Sequence, residues 1–110
     1  MIEVEAQIYI KRDGIVFLNP QKVALLDEIV RSRSLSAAAK SLKISYQHAW
    51  TMIKEMNRTA PELLVVKQRG GVNGGGAEIS EYGKNIMKEY QMINDILRKM
   101  VGQINVEINL

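Results

Sequence analysis

The sequence contains no cysteine and a single histidine, His48. Without thiols there is no disulfide and no thiolate metal site, and one imidazole cannot build a histidine zinc site. The same scarcity removes Cys/His catalysis, and His48 has no visible partner for a general-base role. The 12 carboxylates are scattered over surface-type positions, so no acid/base pair stands out. Aromatics are few as well. With one Phe and one Trp, the core must rest on Ile, Leu, Val, Met and Ala. No apolar run approaches the ~18 residues of a membrane span. The start, Met1-Ile2-Glu3-Val4-Glu5, is acidic and alternating, unlike the basic start and continuous apolar run of a secretory signal. The expectation is a soluble cytoplasmic protein, not an enzyme, with no catalytic residue, metal or cofactor and no membrane partner.

What is present is ordinary in amount and uneven in placement. The 110 residues suit one domain, 46% of them apolar and 25% charged. The net charge of +3 is concentrated between residues 31 and 70. Arg31, Arg33, Lys40, Lys43, Lys54, Arg58, Lys67 and Arg69 lie there against only Glu55 and Glu62, whereas the rest of the chain is net acidic. Clustered positive charge is the footprint that binding to a polyanion requires.

The spacing of apolar residues predicts the elements. Residues 2–18 read as a β-hairpin. Val4, Ala6, Ile8 and Ile10 alternate with polar neighbours, and Asp13-Gly14 is a tight-turn signal before Ile15-Val16-Phe17-Leu18. Asn19-Pro20 opens a helix to about Arg33, carrying Val23, Leu26, Ile29 and Val30 at helical spacing. Ser34 caps a short helix from about Ser36 to Leu42. Ser45 caps a third that reaches about Thr59, where Pro61 bars extension. Leu63 to Lys67 and Ala77 to Ile79 predict a second hairpin around Gly70-Gly71-Val72-Asn73-Gly74-Gly75-Gly76. Ser80 caps a last helix from Glu81 to about Met100, with Gly102 as its stop. Residues 104–110 alternate again and could form a terminal strand. The fold class is therefore mainly α with small β-hairpins. Within one domain (1–110) the parts are an N-terminal hairpin (2–18), three helices (20–60), a wing (63–79) and a long terminal helix (80–101). Three helices followed by a two-stranded wing describe a winged helix-turn-helix.

In such a fold the third helix enters the DNA major groove. Here Ala49, Ile53 and Met56 fall on one side, and Gln47, Thr51, Lys54 and Arg58 on the other. Gln47 suits adenine, and the two cations suit guanine or phosphate. An amphipathic surface helix with a merely solvated face is the competing explanation of the same pattern. The glycine loop could bring backbone N–H groups against phosphate between Lys67 and Arg69, or serve only as a hairpin tip. It is not a nucleotide-binding loop, having no Gly-Lys-Ser/Thr and no helix directly after it. In the last helix Ile86, Tyr90, Ile93, Leu97 and Met100 make a heptad-like seam for dimerisation or for packing on its own domain.

Several strings together resemble one family. They are Ser34-x-Ser36-x-x-Ala39-Lys40, Ile44-Ser45-Tyr46-x-x-Ala49-Trp50-x-x-Ile53-x-x-Met56-Asn57, the glycine loop ending in Ala77, and Ser80-x-Tyr82-Gly83. Over residues 7–100 the chain is similar to the N-terminal DNA-binding domain of the molybdate-responsive ModE regulators, which share a winged helix-turn-helix with LysR-type regulators. The resemblance implies a homodimer on a palindromic operator. It places Ser45, Tyr46, Gln47, Trp50, Thr51 and Lys54 on the recognition helix. The full candidate set for DNA contact is Ser34, Ser36, Ser45, Tyr46, Gln47, Trp50, Thr51, Lys54, Arg58, Lys67, Arg69, Gly74 and Gly75. The sequence stops at Leu110, so the expectation is a stand-alone domain without the family's molybdate-binding part, and molybdate sensing is not carried over. The alternatives are a protein-interaction module on the same scaffold and an oxyanion-responsive sensor with a ligand site of its own.

Overall fold

A computed structural model describes residues 2–68, 76–104 and 108. Its elements in chain order are β1 (Ile10–Arg12), β2 (Ile15–Leu18), α1 (Pro20–Ser32), α2 (Leu35–Ser41), α3 (Tyr46–Thr59), β3 (Val65–Gln68), β4 (Gly76–Ile79) and α4 (Glu81–Gln103). The strands form two separate antiparallel pairs, β1 with β2 and β3 with β4.

Each helix begins where a short polar side chain can satisfy an unpaired N–H. The Asn19 side chain accepts from Lys22 N, and the hydroxyls of Ser34, Ser45 and Ser80 accept from Ala37, His48 and Gly83 N. The first hairpin turns at Asp13 and Gly14 with φ of 51° and 79°, the left-handed pair that a two-residue connection needs.

The expected hairpin over 2–18 is corrected: residues 2–9 form no strand, and pairing starts at Ile10, opposite Leu18. A ladder can be no longer than its partner. Asn19 is already the cap of α1, so β2 offers nothing to pair with residues further back, and no other strand among the described residues does so. The wing also starts later than Leu63. Leu63 O accepts the Ser80 hydroxyl, and the N–H groups of Leu64 and Val65 go to Asn57 Oδ1. The backbone at 63–64 is thus engaged by side chains before β3 begins. Gly102 does not stop α4, which continues to Gln103. A lone glycine lowers helix propensity by only ~1 kcal/mol and does not by itself end a helix. Most of the expected strand at 104–110 lies outside the described residues; Ile104 and Ile108 are in no strand.

The core lies where α1, α2 and α3 meet the wing. Leu18, Leu25, Leu26, Ile29, Leu35, Ile53, Met56 and Leu64 are its largest fully enclosed side chains. Val30, expected on the inner face of α1, is instead exposed. Lys22, by contrast, is buried. Its ammonium donates to Val16 O at 3.1 Å and pairs with Glu55 Oε2 at 3.1 Å, tying α1 to the first hairpin and to α3. Gly83 is required by close approach: a Cβ there would lie 2.5 Å from Leu64 O and 2.8 Å from Ile79 Cγ2. The absence of a side chain seats the root of α4 on the wing strands. Beyond that root, the described residues extend 57 × 29 × 22 Å with a radius of gyration of 16.4 Å. A compact chain of this length would have about 13 Å. The difference reflects α4 projecting from the core.

Candidate nucleic-acid interface

The seven-residue α2 is followed by Leu42, Lys43, Ile44 and the cap Ser45, and then α3. Lys43 takes φ of 58°, and the N–H groups of Lys43 and Ile44 return to Lys40 O and Ala39 O. This closes the turn tightly and sets α3 across α2. Ala38, Ala39 and Ala49 are buried at the crossing, where their small side chains let the helices approach.

On α3 the inner face is Ala49, Met52, Ile53 and Met56, all buried. Tyr46, Gln47, His48, Thr51, Lys54 and Arg58 are exposed. The Thr51 hydroxyl donates to Gln47 O at 3.0 Å, so what it offers outward is a lone pair and a methyl group. Ser45 and Ser34 serve as caps, and Ser36 is exposed on α2. The wing reaches α3 through two contacts. Asn57 Nδ2 donates to Val65 O at 3.0 Å while its Oδ1 accepts from Leu64 and Val65, fixing β3 to the helix. Further along β3, Lys67 Nζ stands 4.2 Å from the centroid of the Trp50 ring, with Lys54 Nζ at 5.6 Å from the same ring.

The structure thus gathers Ser45, Gln47, Trp50, Thr51, Lys54 and Lys67 on one surface. Arg58 belongs elsewhere. It is in the last turn of α3, about 16 Å along the axis from Gln47, beside Arg12, Asp13 and Pro61. Arg12 closes that end of the helix, its guanidinium donating to Thr59 O at 2.7 Å. Arg69, Gly74 and Gly75 lie outside the described residues. Asn57 and Lys22 were not singled out from the sequence as positioning residues. Asn57 bonds backbone seven and eight positions away, and the partners of Lys22 include Glu55, 33 positions on; neither leaves a local signal. The Lys22 pair matters electrostatically, because it engages one of only two carboxylates within residues 31–70.

The seam on α4 divides. Tyr90 is buried, and its hydroxyl donates to Ile8 O at 3.4 Å; burial pushes that phenol above its ordinary pKa. Ile86 also packs on the core. The large apolar residues left exposed are Met92, Ile93, Ile96 and Met100, a face rotated away from Tyr90; Leu97 is half-buried. Residues 4–7 run beside Leu97, Arg98, Val101 and Gly102. A groove of about 340 Å³ between residues 6–8, α1 and α4 contains Arg98 and Asp27. Burial lifts the Asp27 carboxyl above its ordinary range against the pull of Arg31. Among the described residues no group of three or more His, Cys, Asp or Glu is placed to hold a metal, and no helix is long and apolar enough to cross a membrane.

A helix-turn-helix with an exposed polar second helix and a two-stranded wing against it is a winged helix-turn-helix, with a long helix following. Residues 20–83 match the family described as bacterial regulatory helix-turn-helix protein, lysR family, and the chain belongs to that family. Over 98 residues it is 35% identical to the transcriptional regulator ModE of Yersinia pestis and to the DNA-binding transcriptional dual regulator ModE of Escherichia coli (strain K12). These matches cover 89% of this chain and 37% of each relative, so the chain spans little more than a third of their length. Among solved structures, the CbnR DNA-binding domain in complex with DNA shares the fold, with a TM-score of 0.58 and 14% identity over 73% of this chain and 86% of that one.

Proposed function

We propose that this chain is a sequence-specific DNA-binding transcriptional regulator of the ModE type, acting in the cytoplasm as a homodimer on a two-fold symmetric operator. The observation that carries the reading is the surface on which Gln47, Thr51 and Lys54 of α3 stand beside Lys67 of the wing, with Glu55 of α3 already paired with Lys22. Gln47 and Thr51 supply hydrogen-bonding groups for base edges, and the lysines supply charge for phosphate or guanine. Ser45 and Tyr46 open the helix and Ser36 flanks it. Arg58 is assigned to phosphate rather than to a base. Arg69, Gly74 and Gly75 are retained as contacts to the DNA backbone.

The dimer is proposed through Met92, Ile93, Ile96 and Met100, with Leu97 at the edge. A helix that leaves four large apolar side chains in water gains by pairing them with a second copy. Two-fold pairing would set two copies of α3 about one DNA turn apart, ~34–36 Å. Selection of bound sequences from a random DNA pool tests the reading. The expected product is a consensus with inverted half-sites. Recovery of unenriched sequence would refute sequence-specific binding.

A further inference from the structure

We infer that Trp50 acts as a positioning residue, a platform that holds the lysines of the wing and of the recognition helix, and that it does not read a base. The inference deepens the proposed function and rests on it only for its DNA-binding consequences. Trp50 is half-buried and packs against the core, so its ring is anchored on one side. Lys67 Nζ at 4.2 Å and Lys54 Nζ at 5.6 Å both lie within the ~6 Å at which an aromatic face attracts a cation. The register of β3 leads Lys67 there. Asn57 clamps the backbone of Val65, whose side chain is buried. Lys67, two residues on, shares that face of the strand, and the surface it meets past the core is Trp50. Among the described residues neither lysine is in an ion pair.

The choice of an aromatic holder has a chemical consequence. A carboxylate would orient a lysine and cancel its charge. A ring face orients the ammonium through its quadrupole and leaves the full charge available to a phosphate. The wing and α3 therefore present their cations as one unit, and among the described residues no ion-pair partner would have to be displaced by DNA.

Collisional quenching of the only tryptophan tests the geometry in the free protein. Iodide is drawn toward ring-bound ammonium groups and caesium is repelled. The wild type should show strong preference for iodide, and Lys67→Gln, at an exposed position, should reduce the iodide-to-caesium ratio by about a third or more. An unchanged ratio would overturn the proposal whether or not the protein binds DNA. On DNA, Trp50→Ala should weaken binding to all sequences alike, by about 2–5-fold for each lysine released. Trp50→Phe should recover most of that loss, and Lys67→Gln should cost little more in the Trp50→Ala background. Should Trp50→Phe instead change which sequence is preferred, as Gln47→Ala is expected to do, Trp50 would be a base reader and the proposal would be wrong.

Discussion

The two ends of this molecule are exposed for opposite reasons. The surface of α3 and β3 is polar and finished. Its caps are filled, Trp50 carries its lysines, Asn57 bonds the wing, and no buried polar side-chain atom among the described residues lacks a partner. The far half of α4 is apolar and unfinished, with Met92, Ile93, Ile96 and Met100 facing water. Exposed charge costs nothing and can wait for a ligand. Exposed apolar surface is unfavourable by ~25 cal/mol per Å² and calls for a partner that stays. On the proposed function, one region binds DNA reversibly and the other is covered by a second copy of the chain.

The largest effect is expected where that comparison is most direct. Replacing Ile93 and Ile96 by Glu together would place carboxylates in the proposed seam. The dimer dissociation constant should rise by about 100-fold or more, because an apolar interface desolvates a charge only at a cost of several kcal/mol. Sedimentation equilibrium reads the change, and melting of the monomer should be little altered. At the root of the same helix, Gly83→Ala should destabilise folding by about 2–3 kcal/mol, since the new methyl overlaps Leu64 O and Ile79. Urea unfolding checks this, and an effect below about 0.5 kcal/mol would show that α4 does not seat on the wing as described.

A smaller loss is expected beneath the reading surface. Glu55→Ala leaves the buried Lys22 ammonium with Val16 O alone, at about 1–2 kcal/mol, less than for a fully enclosed pair because Glu55 is itself 48% exposed. Thermal melts of Glu55→Ala and of Glu55→Ala with Lys22→Met should show the second change restoring part of the loss. The smallest effect has the opposite sign. Lys43→Gly relieves a left-handed non-glycine residue in the turn and should stabilise by about 0.5–1 kcal/mol, raising the melting temperature by a few degrees.

Features that depend on neighbours within four residues were legible in the sequence. Asn19, Ser34, Ser45 and Ser80 were assigned as caps, and Asp13-Gly14 as a turn, because the groups they satisfy are adjacent along the chain. The polar stripe of α3 was legible for the same reason. What stayed hidden depends on distant partners. The strand pattern of residues 2–9 is real as a pattern, but β2 ends at Leu18 and no other strand among the described residues pairs with it. The heptad-like seam divides between core and solvent, because periodicity places Tyr90 with Ile93 but cannot show that Ile8 and the core already cover Tyr90. Met92 and Ile96, the residues left over, become visible only once that packing is known.

The most direct test of the central account is the salt dependence of DNA affinity for the wild type and for Lys54→Gln/Lys67→Gln. If both lysines meet phosphate, the logarithm of the wild-type association constant falls linearly with the logarithm of salt concentration, and the double variant has a shallower slope by about 0.9 for each contact removed. A slope unchanged by the loss of both lysines would contradict the assignment of α3 and the wing as the DNA-binding surface.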